Sequence, residues 1–359
     1  MQGTMEKPPG GGFYIRGLDG LRAISIALVF CSHLGFRHVS PGLFGVNVFF
    51  LLSGFLIATL MMREHAAKGR VSIKEFYLRR ALRIFPPMYI VIGLAVVLIL
   101  IGAMPAVLDW QGVLLQCVHL TNYYFIKFGG VRLIPGLEVY WSLAVEEHFY
   151  LVFPLVFVLG YGRLGARKLA LILFALALAV LAWRVVLVVA LHTANPYRTS
   201  IATDTRIDSI LWGCILALWR NPALDAASAR ALASGRNCAI ALVVLAATLI
   251  WRNDVFRETV RYTIESLCVI PLLCAAVLRT DWLAVRLLET RPMRWLGQIS
   301  YTFYLCHFMF IELFELNFPS WPKVAAIAAA LASTLIFSQL MRLTVEMPLA
   351  RIRKKYGGA

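Results

Sequence analysis

Apolar runs near twenty residues long recur along the whole chain, separated by short polar stretches. Each is long enough to cross the hydrocarbon of a bilayer as a helix. The pattern predicts ten helical spans, roughly at 18–36, 43–62, 84–103, 138–160, 169–192, 207–219, 238–251, 262–279, 299–318 and 323–341. The sixth and seventh are short. Between the third and fourth, Trp110–Phe125 is helix-compatible and reads as a surface or re-entrant piece. The fold class is therefore all-α, a polytopic membrane protein. Residues 1–17 read as a flexible cytoplasmic tail with Pro8, Pro9 and a glycine run, 18–341 as the membrane domain, and 342–359 as a basic cytoplasmic tail. The first apolar run does not read as a removable signal peptide, because it carries Arg22 and His33 and lacks a small-residue cleavage site.

Composition agrees with that pattern. Of 359 residues 60% are hydrophobic and 15% charged, with mean hydropathy +0.75, more apolar surface than one soluble core can hide. The net charge of +16 would suggest nucleic acid in a soluble protein. Here it points to Lys and Arg in cytoplasmic loops and to anionic lipid or phosphate groups. With ten spans and cytoplasmic termini, roughly two-thirds of the 35 Lys and Arg fall on the inner side, the asymmetry that the positive-inside rule requires. Seven cysteines include no Cys-x-x-Cys pair, so neither a metal site nor a disulfide framework is expected.

Ionisable side chains inside apolar segments are costly and mark functional candidates. Arg22 and His33 are eleven residues apart, about 16 Å of helical rise and nearly three whole turns. They share a face, one near each side of the membrane. His33 falls in the outer half. The predicted topology brings Glu146 and Glu147, Arg184, and Asp204, Arg206 and Asp208 to that same level, as convergent groups around a water-accessible cavity would be. At the inner level Arg79 and Arg83 lie one turn apart on a shared face, with Arg80 pointing elsewhere. Such guanidinium forks suit phosphate. Taken singly, these groups also have plainer readings: Arg22 as a snorkelling anchor, the carboxylates and outer arginines as helix-to-helix ion pairs, and His307 beside Cys306 as a structural histidine.

Seven stretches in order resemble the membrane acyltransferase-3 family of integral-membrane O-acyltransferases. They are Arg16-Gly-Leu-Asp-Gly-Leu-Arg22 with His33; Gly45-Val-Asn-Val-Phe-Phe-Leu-Leu-Ser53; Phe76-Tyr-Leu-Arg79-Arg80-Ala-Leu-Arg83; Trp141-Ser-Leu-Ala-Val-Glu146-Glu147-His148; Asp204-Thr-Arg206-Ile-Asp208; Ile299-Ser-Tyr-Thr-Phe-Tyr-Leu-Cys-His307; and Val345-Glu346-Met-Pro348. Two positions depart from the family pattern: Asn47 stands where Asp is common, and His148 where Gln is common.

The resemblance implies an acyl-coenzyme A donor, acetyl-coenzyme A foremost, and an acceptor hydroxyl on a cell-surface glycan or another exported molecule. It implies importance for Arg22, His33, Arg79, Arg80 and Arg83. The resulting expectation is an acyltransferase of the bacterial inner membrane. Arg22, Arg79, Arg80 and Arg83 would hold the donor, His33 would be the general base, and Glu146 or Glu147 would orient it. Asp204, Arg206, Asp208 and Arg184 would face the acceptor. Membrane lipids and a glycan or lipid-linked saccharide are the expected partners; nucleic acid and metal are not, and the oligomeric state stays open. The alternative is a multi-pass transporter or flippase for a lipid-linked or small polar substrate, which would also carry charges in its spans.

Overall fold

A computed structural model describes residues 14–35, 41–193, 195 and 197–356. Residues 1–13, most of the predicted tail, lie outside that set. Tyr14 and Gly17 are held in place: the Tyr14 hydroxyl and the Gly17 N–H both donate to the Glu289 carboxylate, the latter over 2.6 Å.

Among the described residues the regular structure is helical. Helix α1 (Leu18–His33) is followed by α2 (Gly42–Lys68) and α3 (Ile73–Leu100). Two short helices, α4 (Trp110–Cys117) and α5 (Thr121–Phe128), lead into the long α6 (Trp141–Val185). After α7 (Tyr197–Ser200) come α8 (Thr203–Trp219), α9 (Ala226–Ala229), α10 (Gly235–Ile250), α11 (Asp254–Glu258) and α12 (Arg261–Leu278). The chain goes on with α13 (Leu283–Leu288), α14 (Arg291–Asn317), α15 (Lys323–Met341) and α16 (Met347–Lys354).

Each of the ten predicted segments contains a helix among the described residues, but length and composition do not carry ten crossings. Six helical stretches among the described residues are long and apolar enough to cross a membrane; α1, α8 and α10 are shorter. One of the six joins the fourth and fifth predicted spans. Its backbone breaks at Gly165, where φ is 74° and ψ 170°, a conformation that costs glycine little. The break turns the chain back, so that Leu169 packs beside Gly160.

Helix α3 starts eleven residues before the predicted 84. Ser72 caps it by accepting from the Glu75 N–H at 3.3 Å, a Ser-x-x-Glu start, and Pro86 and Pro87 are accommodated inside it. One rigid element therefore presents Arg79, Arg80 and Arg83. Helix α2 is central, with Phe50, Leu51, Leu52, Phe55, Ile57 and Ala58 buried. It lies against α8 with backbones touching: a Cβ on Gly54 would meet the Ile210 carbonyl oxygen at 2.0 Å, and one on Gly213 the Leu51 oxygen at 2.0 Å. Small residues permit such approach. Helix α1 runs beside both α2 and α14.

The basic stretch read as a C-terminal tail is helical through Lys354. A π-helical turn over Arg342–Glu346 joins α15 to α16, and the Arg79 guanidinium bonds the Tyr356 carbonyl at 2.8 Å.

Candidate active site

Two adjoining cavities lie between α1, α2, α3, α6 and α14. The first, of about 270 Å³, is polar and sits at the N-terminal ends of α1 and α14; its walls include Arg22, Arg83, Arg342, Arg353, Asp19 and Glu346. The second, of about 110 Å³, is largely apolar, with Val46, Phe49, Phe50, Leu52, Leu56 and Leu143 in its wall. Arg22, Arg83, Ser300 and Tyr301 line both. The route therefore begins at a cluster of guanidinium groups and continues into a greasy chamber. Arg80, Glu146, Ser53 and Tyr150 give that chamber a polar edge. The Ser53 and Tyr150 hydroxyls are 2.5 Å apart, and the Arg80 guanidinium lies 4.8 Å from the Tyr150 ring centre.

The chamber ends at Tyr304 and Ser142, whose hydroxyls are 2.6 Å apart. One helical turn beyond Tyr304 on α14 is His307, the two ring centres 5.7 Å apart. His307 Nε2 lies 3.2 Å from His33 Nδ1. The proton positions follow from the remaining bonds. His307 Nδ1 is 2.8 Å from the Tyr304 carbonyl oxygen, and His33 Nδ1 is 2.9 Å from that of Val29. A carbonyl oxygen only accepts, so both Nδ1 atoms carry the hydrogen. His33 Nδ1–H is then shared between the Val29 carbonyl and His307 Nε2, and the basic lone pair of His33 is on its own Nε2. This is the tautomer a general base needs. His307 is fully buried and stacks on Phe303, with centroids 6.1 Å apart, which holds it in that orientation.

Several predicted site residues lie elsewhere. The sequence-based topology sets Glu146 and Glu147 beside His33, but Glu146 lines the chamber with Arg22, Arg80 and Arg83. The reason is where α6 begins. Its first turn starts inside the protein, with Tyr140 and Trp141 buried and the Val139 carbonyl accepting from the Tyr304 hydroxyl at 2.8 Å, midway along α14. Glu146 is thus deeper than a helix starting at the surface would place it. The Oε1 of Glu147 is buried without a hydrogen-bond partner among the described residues. His307 occupies the place beside His33 that the topology assigns to a carboxylate.

Spacing pairs Arg79 with Arg83 and turns Arg80 away. Instead Arg80 and Arg83, three residues apart, both line the chamber, and Arg79 bonds the buried Glu64 at 2.7 Å. Glu64 is 7% exposed and needs a cation there. It also accepts from the Ser72 N–H at 3.0 Å, tying the α2–α3 corner.

The outer group also separates from His33. Arg184 uses all five of its N–H donors: Nε to the Thr259 carbonyl at 3.0 Å, Nη1 to the Thr205 carbonyl and Asp208, and Nη2 to Asp208 and Thr263. Both Arg184 and Asp208 are 0% exposed, so the pair is a clasp between α6, α8 and α12 and not an acceptor surface. Asp204 pairs with Arg198 and accepts from the Trp183 indole at 2.8 Å. Arg206 is buried over the Tyr262 ring, 3.8 Å from its centre, and donates to Asn47. Asn47 in turn donates to Glu265, which also pairs with Arg261 at 2.7 Å. An amide can accept from one neighbour and donate to the next, which a carboxylate cannot. The carboxylate of this cluster is therefore Glu265, a residue sequence patterning did not single out.

Comparison with known proteins matches the sequence to a family. A family model described as an acyltransferase domain covers residues 15–343. The chain belongs to this acyltransferase family. It is 28% identical over 355 residues to the peptidoglycan O-acetyltransferase OatA of Listeria monocytogenes, covering 94% of this chain and 56% of that protein. It is 28% identical over 308 residues to the O-acetyltransferase OatA of Staphylococcus aureus, covering 83% of this chain and 51% of that one. The chain thus spans about half the length of the curated relatives it matches. No solved structure matches it. The acyltransferase match takes in α1, the chamber, α14 and the His33–His307 pair, and ends inside the π-helical turn before α16.

Proposed function

We propose that the chain is a multi-pass O-acyltransferase that moves an acetyl group from acetyl-coenzyme A to a hydroxyl of a cell-surface glycan. One observation carries the reading: two cavities that share Arg22, Arg83, Ser300 and Tyr301 lead from the cluster of Arg22, Arg83, Arg342 and Arg353 through the apolar chamber to Tyr304, one turn of α14 before the His33–His307 pair. The arginines suit the donor's phosphates, since guanidinium forks bind phosphate oxygens in pairs. The chamber suits the pantetheine arm. Arg22 and His33 lie at opposite ends of α1, about 16 Å apart along its axis, so donor binding and proton transfer are separated.

In the transfer step the acceptor oxygen attacks the thioester carbonyl while its proton passes to His33 Nε2. The carbon–sulfur bond then breaks, and the same proton goes to the leaving thiolate, releasing coenzyme A as the thiol. His307 keeps the Nδ1–H of His33 in place and shares the charge that builds on it. The excess of basic residues favours an arginine vestibule and both termini in the cytoplasm, with the opposite end of α1 outside, in the cytoplasmic membrane. The Listeria relative's name favours acetyl as the group and a cell-wall glycan as the acceptor.

The test is thiol release. Purified protein in nanodiscs, given acetyl-coenzyme A and a β-1,4-linked N-acetylglucosamine oligosaccharide, should release coenzyme A thiol and acetylate the sugar. A transporter or flippase would leave the thioester intact.

A further inference from the structure

We propose that the cavity at the opposite end of α1 and α14 from the arginines is the acceptor's binding site, built for an uncharged sugar ring. This rests on the acyltransferase reading above and names where its acceptor sits. The cavity holds about 180 Å³ and is lined by Leu34, Ile311, Glu315, Phe318, Trp321 and Lys323, among others. It adjoins the histidine pair along two elements. Leu34 follows His33 directly. On α14, His307, Ile311 and Glu315 recur every fourth residue, so one helix face runs from the pair into the cavity over about 12 Å.

The chemistry of the lining selects the ligand. Phe318 and Trp321 stack with centroids 4.3 Å apart at 29°, and Phe314 backs Trp321 at 6.2 Å. That leaves a fixed aromatic platform in the turn between α14 and α15, with Trp321 still 41% exposed. The C–H face of a pyranose packs on the electron-rich face of such rings. Glu315 supplies a carboxylate that can accept from two ring hydroxyls. The Lys323 ammonium reaches over Gly35, 3.2 Å from where a Cβ on that residue would stand, and can donate to a third. One acid and one base leave the cavity near neutral, unlike the vestibule with its four arginines, so a polyphosphate has no reason to prefer it. An acyl chain would use the rings but leave both charges without work. Pro319 and Pro322 stiffen the turn, which lowers the ordering cost of binding. The competing explanation, that these aromatics only anchor the helix ends at a membrane surface, gives no role to Glu315.

The experiment measures binding apart from catalysis. N-acetylglucosamine tetramer is titrated calorimetrically into the full chain in nanodiscs, and acetyl-coenzyme A is titrated in parallel. Trp321→Ala should weaken the sugar by roughly tenfold, the size of a lost aromatic contact. Glu315→Gln, an exposed change that leaves folding alone, should weaken it severalfold. Acetyl-coenzyme A binding should be unchanged in both. No sugar binding to the unaltered protein, or sugar binding indifferent to Glu315 and Trp321, would overturn the site. If thioester turnover still depended on His33 in that case, the wider reading would stand without it. Sugar binding that follows Glu315 in a protein that never consumes acetyl-coenzyme A would uphold the site and sink the wider reading.

Discussion

His307 Nε2 accepts a hydrogen bond from His33 Nδ1–H at 3.2 Å, and each ring is fixed by a backbone carbonyl one turn earlier on its own helix. The pair joins α1 to α14 one helical turn beyond the Tyr304 end of the chamber. The Val29 carbonyl and His307 together hold His33 Nδ1–H without a carboxylate. In the proposed mechanism the neutral acceptor behind His33 takes the orienting task that an aspartate has in a catalytic triad.

That relationship makes His307 a positioning residue with a specific signature. His307→Ala should lower turnover by roughly tenfold to a hundredfold, because the imidazolium that forms on His33 loses its charge-assisted hydrogen bond, while the Val29 carbonyl still holds the tautomer. Its KM for acetyl-coenzyme A should stay near that of the unaltered protein. His307→Gln keeps an acceptor oxygen and should recover part of the rate. Equal loss in both variants, with melting temperature falling in step, would mean His307 only packs the helices.

The arginines of α3 should separate into two kinds. In the proposed donor site Arg80→Gln and Arg83→Gln would each remove a charge-assisted contact worth roughly 1.5–3 kcal/mol and should raise the donor KM by about tenfold to a hundredfold. Arg79→Gln leaves the buried Glu64 without its cation. It should lower thermal stability and leave the donor KM of the folded fraction alone. Steady-state kinetics beside a thermal melt distinguishes the two.

These assignments show how far the sequence can be read. Hydrophobic period locates each long helix but not the start of α3, and the spacing of Arg22 and His33 gives their separation along α1. Depth along α6 is not legible: an apolar run does not reveal that its first turn starts inside the protein, and this moves Glu146 from the histidine to the arginines. Helical phase separates Arg79 from Arg80 by about 100°, but only packing against Glu64 decides which one turns inward. The outer ionisable groups look convergent because depth is the only coordinate a sequence offers. In three dimensions Arg184 and Asp208 are consumed by each other. His307 carries a signal, an ionisable ring one turn after Phe303 and Tyr304 in an apolar helix, yet nothing local shows that it faces His33.

The clasp gives a stability prediction. Removing one partner of a fully buried ion pair costs roughly 3–5 kcal/mol. Arg184→Ala and Asp208→Ala should each reduce the yield of folded protein and lower its melting temperature in detergent. Any folded fraction should keep its donor and acceptor KM values. A specific rise in acceptor KM with stability intact would return these residues to the substrate site.

Backbone contact between α2 and α8 gives another. Gly213→Ala would put a methyl carbon 2.0 Å from the Leu51 carbonyl oxygen, so the helices must separate. Because α2 also carries Ser53 and Phe49 into the chamber wall, both melting temperature and donor affinity should fall together. A Gly213→Ala protein with unchanged stability would contradict the close approach.

The most direct test of the account is His33→Ala in nanodiscs, with acetyl-coenzyme A binding measured by calorimetry beside the rate of acetyl transfer. The arginine vestibule is about 16 Å away along α1, so binding should be retained. Transfer should fall by about 10²–10⁴, the usual worth of general-base assistance. Full transfer by a well-folded His33→Ala protein would contradict the account, and so would loss of donor binding together with activity, which would put His33 in the donor site.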